Sequence, residues 1–277
     1  MISVILTHIP PELIILVGFS NILSHLFVHT KMHLLHPFDE FHSYSELLLR
    51  EELLMSVTSK QVNIYLLSNK SEVFDKFKHY YYMATNHFNS NILKLKSDNG
   101  REYISREFQD FCYNKGIQML YTVPYNPQMN GVAERMNRTL IEKAKTILID
   151  SKLGKEFWGH AVLFSAYVTN RSPTEGKHQT PSELWEGRKP DVSNMRVFGC
   201  VAYNHVPKEL RQKLDNSGKK MIFIGYFSSG YKLYDIETKK VISARNVVFD
   251  ETKPKSDNYT RYVMDHIEEK RDEYSER

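Results

Sequence analysis

The sequence holds only two cysteines in 277 residues, Cys112 and Cys200, with no CxxC pair. That excludes a disulfide framework and a cysteine-based zinc knuckle, and it fits a reducing compartment. A long apolar run is missing too. The stretch at residues 2–19 is broken by Pro10-Pro11 and Glu12 and lacks a basic leader, which argues against both a signal peptide and a membrane span. The expectation is a soluble intracellular protein, nuclear or cytoplasmic and without a membrane partner. Nor is there a strong excess of one charge. With 37 basic and 33 acidic residues the formal net charge is +4, compatible with a polyanionic partner and common without one. What is present is a hydrophobic fraction of 41%, enough to bury the core of one large or two medium domains.

Character changes near residue 57. Before it, Lys and Arg are almost absent and histidines gather, with His25, His29, His33 and His36 spaced to share one helical stripe. Metal binding is one reading. Packing is the other, supported by the neighbours Leu26, Phe27, Val28, Leu34 and Leu35 and by the absence of nearby cysteine. From residue 62 the pattern is α/β. Residues 62–67 read as a strand, and Ser71 is placed to cap a helix that turns Val73, Phe74, Phe77 and Tyr81 inward. Residues 92–96 alternate apolar and basic as a strand does, and they run into the turn sequence Ser97-Asp98-Asn99-Gly100, leaving Asp98 at a strand's carboxyl end. A short helix through Phe108 and Phe111 stops at Lys115-Gly116, residues 117–123 read as a further strand, and residues 124–128 as loop.

The next helix, residues 130–150, would be roughly 30 Å long. Asn130 is placed to cap it, and Ala133, Met136, Leu140, Ala144, Ile147 and Leu148 recur as its buried face. Glu134, Arg138 and Lys145 fall on another stripe with Ile141, so an acid and two bases would project together. An active-site face is one reading. A first-turn Glu favoured by the helix dipole and paired with Arg138 is the other.

Several separated segments then resemble, in order and spacing, the integrase region of copia-type retrotransposon polyproteins. They are Asn69-Lys70-Ser71-Glu72-Val73, Lys96-Ser97-Asp98-Asn99-Gly100-Arg101-Glu102-Tyr103, and the run from Pro124-Tyr125-Asn126-Pro127-Gln128 through Met129-Asn130-Gly131-Val132-Ala133-Glu134-Arg135. Asn170-Arg171-Ser172-Pro173, Thr180-Pro181-Ser182-Glu183-Leu184-Trp185 and Arg196-Val197-Phe198-Gly199-Cys200 follow, then Phe223-Ile224-Gly225-Tyr226, Tyr231-Lys232-Leu233-Tyr234-Asp235 and Val247-Val248-Phe249-Asp250-Glu251. The resemblance covers residues 62–251. It implies an α/β fold: an RNase H-like integrase core with a mixed sheet flanked by helices, followed by a small SH3-like all-β barrel. The chain then divides into a divergent segment at 1–56, a core at 57–172, a linker at 173–195, the barrel at 196–252 and a charged tail at 253–277, the tail read as disordered or loosely helical.

The resemblance also implies a chemistry. Such enzymes trim element DNA ends and join them to a target strand, and three carboxylates hold two Mg²⁺ (or Mn²⁺) ions that activate the attacking oxygen and stabilise the leaving one. Asp98 matches the family's second Asp and Glu134 its Glu, as catalytic and metal-holding residues. The first Asp, expected on the opening strand in a His-Ser-Asp or similar triplet, has no counterpart. His33-Leu34-Leu35-His36 stand where it is counted, and the nearest acids, Asp39 and Glu40, open a helical-looking segment through Glu46, Leu49 and Leu53. Ser56 and Val57 replace the paired acids that precede the third strand. Loss of the opening strand would split the sheet and leave backbone edges unpaired, and residues 2–8 and 13–19 are the strand-like candidates to fill the gap.

Gln128, Asn130, Arg138 and Lys145 are the DNA-facing candidates, with element ends and target DNA as partners and a homo-oligomer as the working form. Phe157, Trp158, Ala161, Phe164 and Val168 read as the core face of a last helix. A connector with one short helical piece near Trp185 leads to strands at 197–206, 220–227, 231–235 and 240–249. Lys219, Lys220, Lys232, Lys239 and Lys240 would supply a basic face or a solubilising surface. Two functions remain: an integrase-type enzyme, impaired by the missing carboxylate, or a non-catalytic nucleic-acid-binding or assembly remnant.

Overall fold

The computed structural model describes residues 13–19, 51–56, 59–97, 100–121, 131–173, 178–206, 211 and 217–252. The histidine stripe, residues 2–8, Asp39, Glu40 and Glu46 lie outside them. The chain divides into two compact units, residues 1–139 with 169–190, and residues 140–168 with 191–277.

The first unit is built on a five-stranded sheet in the order β3-β2-β1-β4-β5. Its strands are β1 (Leu13–Phe19), β2 (Glu51–Ser56), β3 (Val62–Leu66), β4 (Ile92–Ser97) and β5 (Gln118–Tyr121). β1 pairs antiparallel with β2 and parallel with β4, and β2 pairs antiparallel with β3. This is the mixed sheet that the resemblance implies. Leu13–Phe19 takes the opening-strand position between β2 and β4, so the sheet is not split. The helical reading of the segment through Leu53 is corrected at its end, the rest lying outside the described residues: Glu51–Ser56 is a strand paired on both sides. At Leu53 two ladders of backbone hydrogen bonds outweigh a weak local preference for helix.

α1 (Val73–Phe88) covers this sheet. It is entered through a 3₁₀ turn at Lys70–Glu72 whose capping box is closed by Asn69 and Glu72: the Asn69 N–H donates to Glu72 Oε1 at 3.1 Å. Asn69, rather than Ser71, therefore starts the helical run. Val73, Phe77, Tyr80, Tyr81 and Ala84 are buried, at the spacings of three and four that put them on one face. They meet Ile92 and Leu95 of β4, and Phe108 and Cys112 of α2 (Arg106–Asn114), with Phe77 stacked on Phe108 at 4.9 Å. Burying each such large side chain contributes about 1.5–3 kcal/mol. The helical piece expected near Trp185 is present, but as part of this core rather than a loose connector. α5 (Pro181–Glu186) is fixed by a Thr180–Glu183 capping box, and Trp185, 6% exposed, stacks on His87 with rings 5.6 Å apart and 9° from parallel. The His87 Nε2–H donates to the Trp185 carbonyl at 2.8 Å.

β3 is an edge of the sheet, and at Val62 its exposed backbone groups are closed by a side chain. The Val62 N–H donates to Asn170 Oδ1 at 2.9 Å, and Asn170 Nδ2 donates to the Val62 carbonyl at 2.8 Å. The amide thus acts as one residue of an extra strand, the kind of protection an edge needs.

The second unit joins a helical pair to an antiparallel sheet in the order β10-β6-β7-β8-β9. Its strands are β6 (Val201–His205), β7 (Gly218–Phe227), β8 (Gly230–Asp235), β9 (Lys240–Ala244) and β10 (Val247–Asp250). The expected strand at 240–249 is two strands broken at Arg245-Asn246. α3 (Gly131–Ser151) gives this unit the part from Leu140 onward, and α4 (Trp158–Asn170) the part up to Val168. Phe157, Trp158, Ala161 and Phe164 are buried as expected, with Val168 half-buried; on the sheet Phe157 meets Tyr234 edge-on at 4.9 Å and Phe164 meets Phe223 at 6.0 Å, and before β6 Phe198 lies 5.3 Å from Phe164. Gly199, at φ +80°, lies so close to α3 that an added Cβ would stand 2.4 Å from Ser151 Cβ. Only glycine satisfies both the dihedral and the contact.

Candidate active site and nucleic-acid interface

The chemistry expected of this fold sits at the carboxyl ends of β1 and β4. In the parallel register Leu16 pairs with Lys96, and β4 ends at Ser97, the residue before Asp98. Asp98, Gln128 and Asn130 lie outside the described residues. The opening strand reads Leu-Ile-Ile-Leu-Val-Gly-Phe and contributes no carboxylate. The only acids in the strands of this sheet are Glu51 and Glu52, which open β2 at the same end; Glu52 pairs with Phe19. Reading that segment as helix hid this position, because only the strand register brings it beside the end of β1.

Glu134 and Arg138 are both exposed on α3, one turn apart, with Glu134 in the first turn where the helix dipole favours an acid. Among the described residues no ion pair joins them. The stripe does not stay at the surface. Ile141 is 3% exposed and Lys145 is half-buried, so past Arg138 this face turns into the packing of the second unit. The expected common projection of Glu134, Arg138 and Lys145 thus holds for the first two only. The buried face is as expected at Ala133, Leu140 and Ala144, with Met136, Ile147 and Leu148 half-buried.

Among the described residues no group of three or more His, Cys, Asp or Glu side chains is placed to hold a metal ion. A divalent ion of the Mg²⁺ type needs several oxygen ligands, and Asp98, the carboxylate matched together with Glu134, lies outside the described residues.

On the second sheet the lysines are not a uniform basic face. Lys219 is spoken for, with its Nζ 2.7 Å from Asp235 Oδ2 and 2.9 Å from Glu237 Oε2. Burial pushes the Asp235 carboxyl up, but the bonds from Lys219 and Thr238 outweigh it and hold the group below the usual carboxylate range. Lys232 is half-buried with its Nζ 4.6 Å from the Phe227 ring centre, and burial pulls it below the usual lysine range. Lys220, Lys239 and Lys240 are exposed.

Comparison with known proteins gives the ancestry. The chain is 44% identical over 197 residues to the "Retrovirus-related Pol polyprotein from transposon TNT 1-94" of Nicotiana tabacum, covering 70% of this chain. Its homologues are retrovirus-related Pol polyproteins. A second, from transposon RE2 of Arabidopsis thaliana, is 32% identical over 191 residues and 68% of the chain. The chain spans 15% and 13% of the length of these two polyproteins. Residues 200–262 match the retroviral polymerase SH3-like domain family. Similar solved structures include the simian T-cell lymphotropic virus intasome in complex with PP2A regulatory subunit B56 gamma (17% identity, 86% of this chain and 78% of that chain, TM-score 0.46). Another is the HTLV-2 integrase catalytic core domain in complex with magnesium (16% identity, 64% and 98%, TM-score 0.42). The fold class implied by the resemblance, a mixed sheet packed with helices and followed by an SH3-like domain, is the one found here. No described helix is long and apolar enough to cross a membrane.

Proposed function

We propose that this chain is the integrase segment of a copia-type retrotransposon Pol polyprotein, that it holds DNA, and that its metal-dependent strand transfer is impaired. The observation that carries the impairment is the opening strand. Leu13–Phe19 occupies the position from which the family supplies its first carboxylate, and it has none. When present, the two divalent ions of this family activate the attacking oxygen and stabilise the leaving one. Of the family's three carboxylates, Asp98 and Glu134 are the two matched in the sequence, and they would hold such ions only together with a third acid, which the opening strand does not supply. Loss of even a supporting partner costs metal sites about 10–100-fold, and loss of a direct carboxylate ligand costs more.

What the chain keeps is the binding half of the role. Arg138 is exposed on α3 next to Glu134, and with Gln128 and Asn130 it supplies the polar contacts expected at a DNA end; in the second unit Lys145, half-buried, is a further candidate, and the SH3-like sheet offers Lys220, Lys239 and Lys240. Phosphate contacts of this kind are tolerant of sequence and sensitive to salt. Element ends and target DNA are the partners, a homo-oligomer the working form, and the interior of the cell the location. The missing carboxylate equally favours a second reading, a non-catalytic DNA- or RNA-binding or assembly remnant of the polyprotein.

The test is DNA end joining with Mg²⁺ or Mn²⁺, run on the protein and on Asp98→Asn, Glu134→Gln and Glu52→Gln. No product above the level of the variants is expected, while duplex DNA binding persists in chelator and weakens with salt. Asp98-dependent product would overturn the impairment. Its loss in Glu52→Gln would identify an acid that completes the site.

A further inference from the structure

The strands β10, β6 and β7 bring Val248, Tyr203 and Lys220 into one row, since Val248 pairs with Tyr203 and Tyr203 with Lys220. Directly paired antiparallel residues share a face. Two residues further along β6, His205 pairs with Gly218, and its N–H donates to the Asn246 carbonyl at 3.1 Å. Tyr203, His205, Gly218 and Val248 line an open groove of about 860 Å³, in the size range of ligand sites. Three features make it more than a surface depression. Gly218 leaves the floor bare beside Tyr203, where an added Cβ would stand 3.5 Å from Tyr203 Cβ, and a strand glycine often marks a close approach. Val248 is 70% exposed, an apolar side chain left against solvent on an edge strand. The described lining contains no carboxylate, while His205 lines the groove and Lys220 is exposed one strand over from Tyr203.

We infer that this groove binds an unpaired nucleobase of single-stranded DNA, stacked on Tyr203 over Gly218, with Lys220 and His205 meeting the adjoining phosphates. The inference rests on the nucleic-acid reading above and gives it a place and a strand form. An aromatic ring in a groove whose described lining carries no carboxylate suits a flat base with an anionic backbone, and stacking accepts any base. A duplex offers the groove only base edges and phosphates.

The test is fluorescence anisotropy of the full chain with a labelled single-stranded dodecathymidylate and with a labelled duplex of equal length. Tyr203→Ala and Gly218→Val should each weaken single-strand binding by about tenfold while Tyr203→Phe does not, a size set by base–aromatic stacking. Lys220→Gln should lower the salt slope by about one phosphate contact. Duplex binding should be unchanged in the three Tyr203 and Gly218 variants, and the circular dichroism spectrum in all four. Single-strand binding unaffected in both Tyr203→Ala and Gly218→Val, or single-strand and duplex binding weakened equally, overturns the groove while leaving the nucleic-acid reading in place. Failure of the unaltered protein to bind either probe overturns both.

Discussion

Replacing Asn170 should unfasten the edge of the first sheet. The side chain makes two hydrogen bonds to Val62, both buried, with Val62 2% and Asn170 6% exposed. Asn170→Ala leaves the Val62 N–H and carbonyl without partners, and each stranded group costs about 1–3 kcal/mol. Water entering the vacated space recovers part of this, so the loss should be about 2–4 kcal/mol. Asn170→Asp separates chemistry from volume. It keeps an acceptor for the Val62 N–H but turns a second oxygen toward the Val62 carbonyl and buries a charge, so it should cost at least as much as Ala. The two tryptophans make the measurement local, because Trp185 belongs to the first unit and Trp158 to the second. In a Trp158→Phe background, urea unfolding followed by Trp185 fluorescence reports the unit that holds Asn170. A midpoint lowered at unchanged slope is expected for both variants. If both stay within about 0.5 kcal/mol of the parent, the level of an ordinary surface substitution, the edge-closing role is wrong.

Three further outcomes follow from the packing. Gly199→Ala should destabilise the second unit by about 2–4 kcal/mol through positive φ and overlap with Ser151; adding Ser151→Gly should recover only part of it, by thermal melting of the two variants. Because Asp235 titrates below the usual carboxylate range when folded, its stabilising contribution is full above the unfolded value near about 3.9 and is lost as pH falls through the lowered folded value. Asp235→Asn should therefore flatten the acid limb of the stability profile and cost about 1–3 kcal/mol at pH 7, checked by urea titrations from pH 2 to 7. Trp185→Ala should cost about 3–5 kcal/mol in the first unit, followed by far-ultraviolet dichroism during urea unfolding.

The sequence shows its local periodicities plainly. Val73, Phe77 and Tyr81 announce α1, and the turn at Ser97-Asp98-Asn99-Gly100 announces the end of β4. Partners chosen across long distances are not visible in this way. Nothing local marks Asn170 as the closure of a strand 108 residues earlier. Leu13–Phe19 is recognisable as strand-like, but its place between β2 and β4 is a matter of register. Glu52 escaped notice for the same reason, since a leucine spacing of four reads as helix until both neighbouring strands are supplied. Lys219 reads as a free base until Asp235 and Glu237 are brought to it. The exposed Glu134 and Arg138 were foreseeable from helical geometry, and the inward turn of their stripe at Ile141 was foreseeable only from what packs there.

The first compact unit is interrupted in the chain, holding residues 1–139 and then 169–190. During synthesis this sets an order of events. The sheet can form as soon as β5 leaves the ribosome, yet its edge at Val62 stays open until Asn170 emerges, and Trp185 fills the space beside Tyr80 and His87 later still. Phe157 and Phe164 appear before either, and wait for Tyr234 and Phe198 with their rings uncovered. A nascent chain stalled, or a polyprotein cleaved, between residues 190 and 200 would therefore present a completed first unit and two helices with bare aromatic faces, the form most exposed to aggregation and to capture by chaperones.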